Sequence, residues 1–298
     1  LNISASFSSA ITVYLLIPIL LIPQMILSGA MFSFDNLNSL ITNKSKTPII
    51  SDMMASRWAY EAMTVNQFKN NEYEAPLFNY HQKKSEINFI KSYTIPKLRN
   101  ILQKEEVLQK GNYLKVIENE LRKFNLNNPK IFKTEYNFSK LEENDFKDIN
   151  SKLKKLEIVL TKKYNKVNDI IDKATFEINK KATENGSSLL KIEKENANEQ
   201  LADLVKNVGT KKRIILYEDQ LIQKYDPIYK YPQPTGFFDY RAHLYSPKKH
   251  FAGKYYSTFF FNLFVIWMMS IFLFISLYFD FLKHIIVKTP NLFKSIKK

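Results

Sequence analysis

The sequence contains no cysteine, which excludes disulfides and cysteine-ligated metal sites and leaves the redox compartment unread. It also lacks a G-x-x-x-x-G-K-[ST] phosphate loop, a G-x-S-x-G elbow and an H-E-x-x-H pair. The four histidines, His81, His243, His250 and His284, are scattered without metal-ligand spacing. Most carboxylates fall on helical faces expected to be solvated, so neither an enzyme nor a cofactor or metal site is expected in this chain. Two stretches lack charge altogether, residues 1–34 and 255–279, and no acid follows Asp280.

What the sequence does hold is apolar ends and a lysine-rich middle. Residues 255–279, YYSTFFFNLFVIWMMSIFLFISLYF, are apolar on every helical face. As a helix they reach about 37 Å, enough to cross a hydrocarbon core of about 30 Å. Lys248, Lys249 and Lys254 precede the run, Lys283 and Lys288 follow it, and Tyr255, Tyr256 and Tyr278 sit where an aromatic belt would lie. Asn262 is its most polar side chain, suited to bonding a neighbouring helix or a substrate.

Residues 10–34 are expected to form the other spanning helix. They are too long for a signal sequence and lack a basic start. Pro18 and Pro23 fall inside the run, each removing a backbone donor and favouring a kink. In lipid such breaks persist where neighbouring helices satisfy the freed carbonyls, which argues for a packed bundle. Ser28 and Gly29 then allow close approach or a turn, or simply end the helix.

Residues 35–46 read as a polar loop. Pro48 precedes Ser51-Asp52, a plausible helix cap, and residues 53–68, MMASRWAYEAMTVNQF, place Met54, Trp58, Ala62, Val65 and Phe68 at helical spacing. Arg57 and Glu61 lie four apart and can pair. A Trp-bearing, partly apolar helix beside a span suits the membrane interface, the alternative being that Trp58 packs inside the soluble domain.

In this order and setting, LLIPQMILSGAMFSF followed by ISDMMASRWAYEAMTVNQF resembles the permease domain of ABC transporters of the G subfamily. In that family the fifth membrane helix ends in a phrase like F-S-G-L. The chain then turns into an external loop with a short R-Y-x-x-E-A-L-x-x-N-E-F helix. Ser28 and Gly29 match the first pattern, and Arg57, Tyr60, Glu61, Ala62, Asn66 and Phe68 follow the second. The departures are Trp58 directly after Arg57, the tyrosine displaced to position 60, and Gln67 in place of an acid. TFFFNLFVIW and LYFDFLK fit the sixth and last span. The resemblance covers roughly residues 5–70 and 240–285.

Between the spans, Ile101, Leu108, Leu114, Ile117, Leu121 and Phe124 keep roughly helical spacing. So does a longer seam from Ile149 through Leu153, Leu156, Leu160, Tyr164, Val167, Ile171 and Ala174 to Ile178, the pattern of a coiled-coil strand or hairpin arm. Asn185-Gly186 breaks it, and a third run carries Ala197, Leu201, Leu204 and Val208. Two or three antiparallel helices in a stalk are expected. KKRIIL at 211–216 fits a strand or a helix start. Pro227, Pro232 and Pro234 with Tyr225, Tyr229, Tyr231, Phe237, Phe238 and Tyr240 predict an extended connector whose rings anchor at the headgroups.

The formal net charge of +15 is spread among acids along helical patterns, so nucleic acid is not an expected partner. Lys283, Lys288, Lys294, Lys297 and Lys298, without acids, favour a cytoplasmic C-terminus and an extracytoplasmic insertion; charge bias weakens for loops longer than about 60 residues.

The expected fold is therefore mainly α: an integral membrane chain with two transmembrane helices flanking a coiled-coil-like insertion. Its parts are 1–34, kinked span with S-G turn; 35–74, external loop and interfacial helix; 75–224, helical insertion; 225–254, connector; 255–281, final span; and 282–298, basic tail. The chain begins at Leu1, which suggests a fragment of a longer polypeptide.

The resemblance implies the C-terminal part of an ATP-driven exporter's permease in the cell membrane. ATP and Mg would act in an ATPase domain upstream or on another chain, and the permease would be a homodimer in the lipid bilayer. Pro18, Pro23, Ser28, Gly29, Arg57, Trp58, Glu61 and Asn262 would then shape the path or its lid. The alternative is a membrane-tethered coiled-coil interaction protein.

Overall fold

The computed structural model describes residues 1–7, 9–31, 33–34, 37, 44–103, 111–127, 129–132, 136–138, 141 and 143–296. The chain is mainly helical. In order it forms α1 (Asn2–Ser6), α2 (Ala10–Ile26), α3 (Ile49–Asp52), α4 (Ala55–Lys69) and α5 (Phe78–Phe89). A π turn (Ile90–Thr94), α6 (Ile95–Leu102), α7 (Gly111–Asn127), α8 (Glu143–Glu184), α9 (Leu189–Asn196) and α10 (Glu199–Lys206) follow. Then come β1 (Ile214–Tyr217), β2 (Gln220–Gln223), a 3-10 turn (Pro227–Tyr229), β3 (Lys248–Phe251), β4 (Lys254–Ser257), α11 (Thr258–Tyr278) and α12 (Phe281–Ile296). Two compact units result: Leu1–Val65 with Pro232–Leu244 and Lys248–Lys298, and Asn66–Tyr231 with Tyr245–Pro247.

In the first unit, α11 has 21 residues and buries only Thr258 and Asn262. At about 1.5 Å per residue it spans about 31 Å, and among the described residues it is the one helix long and apolar enough to cross a membrane. It starts later than the apolar run does. Tyr255 and Tyr256 belong to β4, which pairs antiparallel with β3 across a tight turn at Ala252 and Gly253, both at positive φ (49° and 74°). Its end is set by Asp280 at φ 50°, a left-handed residue that closes the helix and starts α12. The expected basic tail is thus a helix through Ile296; Lys297 and Lys298 lie outside the described residues.

The first apolar run also ends sooner than residue 34. Helix α2 has 17 residues, passes through Pro18 and Pro23, and stops at Ile26. Ser28 Oγ donates to the Met25 carbonyl at 2.7 Å and accepts from the Ala30 amide at 3.1 Å, satisfying groups the helix end leaves open. Gly29 has φ +80°, a conformation that favours glycine, and a Cβ there would sit 2.8 Å from Leu244 Cδ2, which would have to shift. Ahead of α2, α1 packs on α11 and α12, and Asn2 Nδ2 donates to the Leu273 carbonyl at 2.9 Å. Most of the expected loop at 35–46 lies outside the described residues.

The second unit has a hydrocarbon core. Ile149, Leu153, Leu156 and Leu160 of α8 step by three and four and are buried with Ile95, Leu98 and Ile101 of α6 and Val116, Ile117, Leu121 and Phe124 of α7. Helices α5 and α6 join through the π turn, whose wider winding accommodates Pro96, a residue without an amide to give the preceding turn. The expected seam continues past Leu160, but Tyr164, Val167, Ile171, Ala174 and Ile178 are half-buried at most. Leu108 lies outside the described residues.

Two or three stalk helices are too few. The described residues of this unit also form α9, α10 and a hairpin. The third run breaks at the extended Ala197, after which Asn198 caps α10 by accepting from the Leu201 amide at 3.0 Å. KKRIIL leads into β1, joined to β2 through Glu218 and Asp219, both at positive φ (46° and 56°).

The connector's tyrosines are not all interfacial. Tyr225 and Tyr229 are buried in the second unit. Tyr229 Oη donates to Glu74 Oε1 at 2.8 Å, and burial together with the Glu74 charge pushes the phenol well above its ordinary value. Phe237 and Phe238, in the first unit, are exposed.

Candidate functional site

Helix α4 buries Arg57, Trp58, Glu61, Ala62 and Val65 on one face, so a carboxylate and a guanidinium share a stripe that is otherwise largely apolar. A fully desolvated carboxylate is costly unless cations and donors surround it. Glu61 is 0% exposed and has three such partners. Arg57 Nη1, one turn back, donates to Oε2 at 2.9 Å; Lys249 Nζ from β3 donates to Oε1 at 2.6 Å; Asn262 Nδ2 from α11 donates to Oε2 at 3.0 Å. The same Nδ2 reaches the Trp58 carbonyl at 3.1 Å. One carboxylate therefore fastens the amphipathic helix, the hairpin and the start of the apolar helix together.

Asp52 extends the network. It pairs with Arg57 Nη2, accepts from Tyr240 Oη at 3.2 Å, and lies 3.7 Å from Arg241 Nε. Its carbonyl accepts from Trp58 Nε1 at 2.8 Å, and the Arg57 guanidinium lies 3.5 Å from the Trp58 ring centroid, a desolvated cation–π contact. Three cations (Arg57, Arg241, Lys249) thus face two carboxylates (Asp52, Glu61), one positive charge in excess. Burial pushes the Glu61 carboxyl up, but Lys249 and Arg57 outweigh it and hold the group below its ordinary value, so it is ionised. For Lys249, burial dominates and lowers the ammonium from its ordinary value, Glu61 opposing the shift. Arg57 Nε and Asn262 Oδ1 are buried without a hydrogen-bond partner.

Beside this network lies an apolar groove of about 1110 Å³, walled by Trp58, Tyr240, Phe261, Met268 and Phe272, with Asp52 at its lining. Each carboxylate of the cluster is matched by a cation, so the arrangement fastens together the elements that border the groove. Among the described residues no group of three or more His, Asp or Glu is placed to hold a metal ion.

Of the residues singled out from sequence, Arg57, Trp58, Glu61 and Asn262 come together here. Ser28 and Gly29 are buried at the turn after α2, while Pro18 and Pro23 stay exposed along it. Ser56 Oγ donates to the Gln24 carbonyl at 2.7 Å, tying α4 to the last turn of α2. Sequence reasoning missed Asp52, Lys249, Tyr240 and Arg241. Ser51-Asp52 does not cap α4: both residues lie in α3, where Ser51 Oγ donates to the Pro48 carbonyl at 2.6 Å. One signal was present, since Glu61 interrupts the Trp58–Ala62–Val65 stripe and an acid there calls for a distant cation.

Compared with family models, curated proteins and solved structures, the chain shows no match.

Proposed function

We propose that this chain is the C-terminal part of the membrane permease of an ATP-driven exporter, resembling the G subfamily of ABC transporters. In this reading α2 and α11 are the last two spans. The turn at Ser28-Gly29 and helix α4 belong to the external lid, residues 75–224 lie outside the cell, and α12 lies on the cytoplasmic side. ATP and Mg would act in an ATPase domain that is upstream or on a separate chain, and two permeases would enclose the path. Helix α2, at about 26 Å, is at the short end of what crosses a bilayer and would need local thinning or its flanking turns to do so.

The observation that carries the reading is the Arg57–Glu61–Asn262 network. The residues of the family-like R…E phrase are held to the first turns of the final apolar helix by an intramembrane-type amide. The test is purification of the protein in detergent from its own membranes, followed by assay of Mg-dependent, vanadate-sensitive ATP hydrolysis. Hydrolysis that co-purifies and loses its response to transported compounds in Glu61→Gln is the expected result. A chain recovered without any ATPase, or without detergent, would overturn it.

The tether alternative is favoured by one fact: only α11 among the described residues has full spanning length. Replacing Pro18 and Pro23 by Leu would leave a tether unaffected and would impair a permease.

A further inference from the structure

Helix α12 carries no acid, and apart from the exposed Val287 the apolar residues of its first two turns fall in two stripes. Leu282 and Ile286, four apart, are half-buried where the helix packs on α1 and α11. Phe281 and Ile285, also four apart, are 55% and 46% exposed, and the same spacing recurs in the sequence at Leu292 and Ile296. Lys288, seven residues after Phe281 and three after Ile285, and His284, three after Phe281, border the exposed stripe, Lys283 lies on another side, and all three are exposed. A helix with four cationic or imidazole side chains along it does not cross a bilayer, and one with an uncovered apolar stripe does not stay in water at no cost. An apolar stripe with a basic flank and a fixed start at the end of a spanning helix is the composition of a helix that lies in the plane of an anionic leaflet.

We propose that α12 is an interfacial clamp. Phe281 and Ile285 enter the acyl boundary, while Lys283 and Lys288 bind the headgroups of anionic phospholipid, with their aliphatic stems lying along the apolar surface. The left-handed turn at Asp280 redirects the chain from α11 into this helix. The proposal rests on the reading of α11 as a membrane span.

The cysteine-free chain allows a direct test. A single Ile285→Cys, labelled with an environment-sensitive fluorophore, is placed in nanodiscs of zwitterionic lipid with and without an anionic phospholipid. The label is expected to be lipid-shielded in the anionic discs and to move toward water in zwitterionic discs or at high salt. Neutralising Lys283 and Lys288 to Gln is expected to weaken the shielded state about fivefold each, roughly 25-fold together. Shielding that is equal in both lipids and indifferent to salt would place the stripe against protein and overturn the proposal, as would a label in water throughout. A parallel Leu273→Cys label in α11 separates the two readings. Deep shielding there with Ile285 in water sinks only the clamp, whereas water at both positions sinks the membrane reading as well.

Discussion

In the unit built on α8 the deepest positions include Ile95, Leu98, Ile117, Ile149, Leu153 and Leu156. In the unit that carries α11 they include Arg57, Glu61, Lys249 and Asn262. Hydrocarbon burial is graded: each side chain contributes about 1.5–3 kcal/mol and tolerates partial loss. Buried charge depends on its partners, because removing one leaves the others desolvated and unmatched. The first kind of interior holds a shape. The second fixes which elements are joined.

The comparison breaks most sharply at Glu61. Glu61→Ala strands the buried Lys249 and leaves Arg57 to Asp52 alone, and is expected to cost about 3–5 kcal/mol in urea unfolding of the detergent-solubilised chain; a loss below about 1 kcal/mol would mean the charges are not buried together. Leu153→Ala, the matching test in the hydrocarbon core, is expected to cost about 2–5 kcal/mol and to leave the pH dependence of stability unchanged. Asn262→Leu removes two hydrogen bonds from the cluster and is expected to cost about 1–3 kcal/mol, with Asn262→Ser recovering part of it. Gly29→Ala forces a side chain into the left-handed region and against Leu244; an expected loss of about 1–2 kcal/mol can be read from the shift in Tm.

The smallest effect is at Asp239. Burial raises its carboxyl, but Lys46, the Thr235 amide and the Thr235 hydroxyl outweigh burial and bring it to about 2, against an ordinary 3.8. A depressed carboxylate adds stability that is full above its unfolded value and is lost as pH falls through its folded one. Stability should therefore decline between pH 3.8 and about 2, and Asp239→Asn should flatten that part of the curve. The same sign applies to Glu61, whose lowered value puts its own loss below pH 4.5.

What could be read from the sequence was what local pattern determines. An uncharged run of 25 residues announced α11, and the four-residue spacing of Arg57 and Glu61 announced their pair. Lys249 could not be read, because its partner is 188 residues away and a basic residue beside a span already has an interfacial explanation. Asp52 was hidden behind an equally good local role as a cap. Tyr225 and Tyr229 fit either a headgroup belt or a core, since a tyrosine has an apolar body and a polar tip in both. The hairpin β1–β2 escaped because its turn uses Glu218 and Asp219 rather than glycine, and α12 escaped because its lysines drew attention away from the spacing of its apolar residues.

Single cysteines at Asn185 and at Ser295, labelled in intact cells with a membrane-impermeant thiol reagent, test the membrane reading most directly. Modification at Asn185, with Ser295 protected until the cells are opened, is the expected outcome. Modification at Ser295 but not Asn185, or recovery of the chain in the soluble fraction, would contradict it.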